Sequence, residues 1–235
     1  MKIKLFADGA EIADMIACYN EGVVTGFTTN PTLMRQAGIK SYEAFAKDVL
    51  REIPDAPISF EVFSDEFPEM HRQALKLHGM GENVYVKIPI TNTKNQSSLP
   101  LIKNLVDEGV KVNTTAIMTA HQVKGLCGVL SPDVPSVVSV FAGRIADTFR
   151  NPEPIMKMCG MELRFQGLKD SAELLWASCR EVYNIKQADV CGCQIVTVTP
   201  SILKKLRLAK KDLEEYSLET VKMFYDDAEA CGYEL

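Results

Sequence analysis

The stretch Val84-Tyr85-Val86-Lys87-Ile88-Pro89-Ile90 is a run of apolar, largely β-branched residues with one charged amine at its centre. Its length and composition predict a buried strand. Seven further segments of this kind recur along the chain, at 3–8, 25–29, 58–63, 110–117, 136–142, 173–178 and 188–198. Helical patterns fill the gaps at 41–52, 66–77, 96–108, 120–130, 154–161 and 180–184, and a last helix covers about 210–231. Alternating strands and helices predict a parallel sheet with crossover helices. Eight such units in 235 residues fit a compact (β/α)8 TIM barrel, read here as one domain over 1–235 with a long C-terminal helix. A doubly wound open sheet is the structural alternative. No Pro-, Gly- or Ser-rich linker divides the sequence. Leu213, Tyr216, Leu218, Val221 and Phe224 form an apolar stripe on the last helix, expected to pack on the barrel or, failing that, on a neighbouring subunit.

The composition is that of an ordinary globular protein, 46% hydrophobic and 24% charged. A net charge of −5 argues against a general nucleic-acid or anionic-membrane surface, so any anion-binding cations must be local. The N-terminal stretch carries acids where a signal peptide has its apolar core, and no segment approaches the ~18 apolar residues of a membrane span. Seven scattered cysteines without paired spacing predict reduced, mostly buried thiols and a cytoplasmic location. Cys191 and Cys193 are expected to share one strand face.

Lys87 is the residue that points to chemistry. Desolvating an ammonium is costly, and an apolar strand favours the neutral, nucleophilic amine. That is what an enzyme working through a Schiff base requires of its lysine. Other polar residues recur at the strand ends: Asp8, Asn30, Glu61, the pair Asn113 and Thr115, the pair Ser139 and Phe141 followed by Arg144, and Ser178 with Arg180. Residues two apart in a strand share a face, and barrel enzymes build their sites at the C-terminal ends of their strands. Each residue also has a plainer reading. Asp8 and Asn30 suit helix caps, with Pro31 at a first helical position. Glu61 suits an ion pair with Lys87, and Arg144 one with Asp147.

The segments LFADGA (5–10), GFTTNPTL (26–33), SFEVFSD (59–65), VKIPIT (86–91), VNTTAIMT (112–119), SVFAGRIADT (139–148) and WASCR (176–180) together resemble the transaldolase family, in its small-subunit and fructose-6-phosphate aldolase-like branch. The resemblance implies that Lys87 is the Schiff-base lysine and Asp8 the carboxylate that handles the donor's C4 hydroxyl proton. It implies that Glu61 and Thr115 hold a water for proton relay, and that Asn30 and Asn113 orient the dihydroxyacetone part, beside Thr29. Ser139 and Phe141 line the site. Arg144, Ser178 and Arg180 grip the phosphate, a task suited to guanidinium forks and hydroxyls.

The implied activity is transfer of a dihydroxyacetone unit from a ketose phosphate, such as fructose 6-phosphate or sedoheptulose 7-phosphate, to an aldose phosphate. No metal or other cofactor is expected, because the iminium serves as the electron sink. The partners expected are sugar phosphates and further copies of the chain, as a pentamer or decamer assembled through the C-terminal helix. Three alternatives stand beside this. An aldolase would release free dihydroxyacetone, but such relatives carry glutamine where this chain has Glu61 and tyrosine where it has Phe141. A transaldolase for a sulfonated ketose is a second. A non-catalytic sugar-phosphate sensor would need the arginines but not Asp8, Glu61, Lys87 and Thr115. Arg150 and Cys179 depart from the family pattern.

Overall fold

In the computed structural model, which describes residues 2–233, eight parallel strands close into a barrel in sequence order. They are β1 (Lys4–Asp8), β2 (Gly26–Thr28), β3 (Ile58–Glu61), β4 (Val84–Pro89), β5 (Val112–Ile117), β6 (Ser136–Val140), β7 (Ala172–Trp176) and β8 (Ile195–Val198). The helices are α1 (Ile12–Asn20), α2 (Pro31–Gln36), α3 (Tyr42–Glu52), α4 (Phe67–His78), α5 (Leu99–Asp107), α6 (Ala120–Cys127), α7 (Ala142–Ala146), α8 (Glu153–Phe165), α9 (Tyr183–Cys191), α10 (Pro200–Lys205) and α11 (Leu213–Cys231). This is the (β/α)8 architecture the alternation predicts. The chain divides into two compact units, residues 1–203 and 204–235.

Strand β4 shows how the pattern builds the barrel. Val84, Val86 and Ile88 are fully buried on the side that α4 covers, and each such side chain contributes about 1.5–3 kcal/mol relative to exposure. The alternate residues Tyr85 and Lys87 face the interior, because successive side chains point to opposite faces. Lower down, that interior is filled by Phe6, Val137, Leu175 and Ile195, with Tyr85 and Phe141 packed against them. Gly26 makes room for the Phe6 ring: a Cβ there would lie 2.5 Å from it. Above this plug the C-terminal end of the barrel is open.

Three of the differences from the expected boundaries bear on the reading. The apolar run 188–198 is not one strand. Its first part ends α9, Gly192 adopts φ 78° as the left-handed cap, and β8 begins only at Ile195. Cys191 and Cys193 therefore flank a helix terminus and do not share a strand face. The helix expected at 180–184 starts at Tyr183. The last helix begins at Leu213 and not near 210: Lys210 sits at φ 68°, outside helical space, and Asp212 caps the helix by accepting bonds from the Glu214 and Glu215 N–H groups, both at 3.0 Å. Leu213, Tyr216, Leu218, Val221 and Phe224 of the α11 stripe are all exposed in the single chain. A single helix cannot bury its own stripe.

Candidate active site

A cavity of about 550 Å³ opens at the C-terminal ends of the strands. Of the residues singled out in the sequence, Asp8, Asn30, Glu61, Lys87, Thr115, Ser139, Phe141, Arg144 and Ser178 line it. Thr29, Asn113 and Arg180 do not.

Lys87 is buried, at 6% exposure. Its Nζ lies 3.1 Å from Glu61 Oε2 and donates to the Thr29 carbonyl at 2.8 Å. Strand register brings the pair together, since Glu61, Lys87 and Asn113 sit level on β3, β4 and β5. A buried ion pair needs such added hydrogen bonds, because two desolvated charges are not repaid by their mutual attraction alone. Thr29 thus contributes its backbone, while its hydroxyl is bonded to Ser59 O at 3.0 Å.

Asp8 faces this pair from β1. Burial pushes its carboxyl above the ordinary 3.8, and the Glu61 charge adds to that; the Lys87 charge and a hydrogen bond from Thr28 oppose it. The Thr28 Oγ1–Asp8 Oδ1 bond is 2.8 Å, and Thr28 Oγ1 also meets Thr197 Oγ1 at 2.6 Å. Asp8 does not cap α1, whose N-cap residue is Glu11. A carboxyl held above its ordinary pKa and facing a buried amine is suited to proton exchange.

Asn30 is a helix cap at the wall of the cavity. Its side chain caps α2, accepting from Leu33 N–H at 3.0 Å with Pro31 in the first helical turn, and it also lines the cavity. Asn113 lies beneath the cavity, fully buried. It donates to Ser59 Oγ at 2.9 Å and accepts from Ser139 Oγ at 2.6 Å, so it fixes the Ser139 hydroxyl. Thr115 Oγ1 is buried with no hydrogen-bond partner among the described residues, which leaves it open to a ligand. Beyond it, Ala116 holds φ 60° at the point where the β5–β6 register shifts. A bulge of this kind re-aims side chains at a barrel rim.

The cationic side of the cavity is built by the turns after β6 and β7. Arg144 lies over the Phe141 ring at 5.6 Å and does not pair with Asp147. Asp147 instead forms an ion pair with Arg180, whose backbone N–H donates to Asn184 Oδ1 at 2.7 Å. Arg180 is therefore exposed and held outside the cavity. Gly143 locks the two turns together: a Cβ there would stand 1.6 Å from the Ser178 carbonyl oxygen, and Ser178 itself holds φ 65°. The added cation Arg150 is exposed, its guanidinium bonded to Thr148 Oγ1 at 3.0 Å.

Thr28 and Thr197 escape sequence reasoning because a threonine in a strand reads as an ordinary β-former. One signal was available. Every strand but the eighth had an inward polar residue assigned, and Thr197 fills that gap.

Comparison with known proteins identifies the family. Residues 5–235 match the family described as Transaldolase/Fructose-6-phosphate aldolase. A probable transaldolase of Thermoplasma acidophilum is 32% identical over 206 residues, covering 87% of each chain. One from a Chelativorans species is 31% identical over 229 residues, covering 94% of this chain and 97% of its own. A flavocytochrome b2 variant with sulfite bound superposes with a TM-score of 0.57 at 13% identity, over 85% of this chain and 57% of that longer one; at that identity the likeness concerns the fold alone. The family match over almost the whole chain, on a barrel with this cavity, places the protein in the transaldolase/fructose-6-phosphate aldolase family.

Proposed function

We propose that the chain is a Schiff-base transaldolase and that Lys87 is its covalent catalyst. The observation that carries this is the environment of Lys87: a buried amine facing an open cavity, with Glu61 at 3.1 Å and Asp8 lifted by burial. Glu61 takes a proton from the paired Lys87 ammonium, and the neutral Nζ attacks the C2 carbonyl of a ketose phosphate, its own proton passing to the C2 oxygen. Loss of water, relayed by Glu61 and Thr115, forms the iminium. The C3–C4 bond then breaks as Asp8 accepts the C4 hydroxyl proton, and its electrons pass into the C2–N unit to give an enamine. The aldehyde phosphate leaves. The enamine carbon adds to a second aldehyde, Asp8 returns the proton to the new alkoxide, and hydrolysis frees the product and Lys87.

Ser139 and the Asn30 amide fit the hydroxyls of the three-carbon unit, with Asn113 fixing the Ser139 hydroxyl from beneath. Arg144 and Ser178 fit the phosphate, with Arg180 joining when an anion draws it from Asp147. The carboxylate at Glu61 and the hydroxyl-free ring of Phe141 support transfer over release. The apolar side chains exposed on α11 support self-association through that helix.

The test is intact-protein mass spectrometry after incubation with fructose 6-phosphate and borohydride, with peptide mapping. A three-carbon adduct on Lys87 is expected. No adduct with either fructose 6-phosphate or dihydroxyacetone overturns the reading. Efficient release of dihydroxyacetone without an acceptor makes the enzyme an aldolase.

A further inference from the structure

We propose that Tyr42 is a positioning residue that holds the Lys87–Glu61 pair in its working geometry through its hydroxyl. This inference rests on the Schiff-base reading above and extends it to a residue outside the cavity.

The argument begins with a missing piece of ladder. Phe27 N–H donates to Pro57 O at 2.8 Å and Thr29 N–H to Ser59 O at 3.1 Å, so in a parallel ladder the next rungs run from Glu61 N–H to Thr29 O and from residue 31 N–H to Glu61 O. Residue 31 is proline and has no N–H to give. The Glu61 carbonyl would be left without its donor. The Tyr42 hydroxyl takes over both positions, donating to Glu61 O at 2.9 Å and accepting from Glu61 N–H at 2.7 Å.

The substitution has a second effect. Because Glu61 N–H is held by Tyr42, the Thr29 carbonyl is released from the ladder, and it is this carbonyl that accepts from Lys87 Nζ at 2.8 Å. One phenol therefore fixes the backbone of the carboxylate residue and frees the acceptor that orients the amine. The phenol is itself well fixed. Tyr42 opens α3, whose cap Ser41 accepts from Ala44 N–H at 3.3 Å, and its ring packs against Phe60 at 6.2 Å and Phe63 at 5.7 Å. Burial raises its pKa far above the ordinary 10.0, so the donated proton stays in place.

Tyr42→Phe in the full chain tests this, because it keeps the ring contacts and deletes only the hydroxyl. Glu61 N–H can then return to Thr29 O and compete with Lys87 for it. The expected result is a fall of about tenfold in kcat and in the rate of borohydride-trappable imine formation, with KM for the ketose phosphate within about twofold of wild type. Phe63→Leu is the control: it alters the ring stack, keeps the hydroxyl and should leave both rates unchanged. Wild-type rates in Tyr42→Phe overturn the positioning role. Equal losses in both variants, with lowered melting temperatures, also overturn it and assign Tyr42 to packing alone. A wild-type protein that forms no imine refutes the Schiff-base reading itself, and this inference with it.

Discussion

The barrel carries a lysine–glutamate pair at each end, and the two pairs behave differently. At the N-terminal end Lys4 of β1 meets Glu173 of β7 at 2.8 Å, with their side chains 52% and 29% exposed. At the C-terminal end Lys87 meets Glu61 at 3.1 Å, with exposures of 8% and 18%. The lower pair closes a filled interior under the Phe6 plug. It is screened by water, and exposed pairs of this kind contribute about 0–1 kcal/mol. The upper pair is desolvated, is tied to a backbone carbonyl, has a third ionisable group in Asp8 beside it, and faces open space. Identical residue types thus form a surface clasp at one end and, under the proposed function, a reactive centre at the other. What separates them is burial together with room for a ligand.

Substitutions can break that contrast. Lys87→Met removes the proposed nucleophile and should abolish imine trapping, with turnover lowered at least about a thousandfold while the circular dichroism stays native; turnover near wild type would end the distinction between the pairs. Asp8→Asn should lower turnover by about a hundredfold, through loss of proton transfer, and at the same time raise the melting temperature at pH 7. The sign follows from the raised pKa of Asp8. The folded protein binds this proton more tightly than the unfolded chain does, so the stability contributed by Asp8 falls as pH rises from 3.8 through the higher folded value, and at neutral pH the ionised carboxyl is a cost. Asparagine still accepts from Thr28 and removes that cost, for a gain of about 2 °C by differential scanning calorimetry. A lower melting temperature would show instead that Asp8 is a structural partner of Lys87. The smallest effect belongs to Lys4→Met, expected to leave turnover unchanged and to shift stability by less than about 1 kcal/mol in denaturant titration.

The contrast was only partly legible in the sequence. The eight strands could be read from their β-branched runs, and Lys87 stood out because it interrupts one. The barrel followed from the alternation. The error at 188–198 arose because short apolar runs suit a helix end as well as a strand, and Gly192 decided for the helix. Arg180 was read from its place after β7, but its partner Asp147 lies 33 residues earlier, and no local pattern announces that pair. Thr28 and Thr197, 169 residues apart, meet only when the barrel closes. Tyr42 belongs to no strand, and its hydroxyl matters because of a proline eleven positions before it.

The contact between Gly143 and the Ser178 carbonyl has a further consequence for what the cavity can measure. Arg144 and Ser178 follow directly from the two backbones that touch there, so neither turn can shift without the other. The two turns are therefore coupled at the main chain, while the reach of the Arg144 guanidinium beyond it is set by its stacking on the Phe141 ring. Under the proposed function such coupled turns would serve as a gauge of ligand length, sorting sugars by the number of carbons between carbonyl and anion. Moving both turns together would take a change of backbone, whereas a replacement of Arg144 would alter only its own reach.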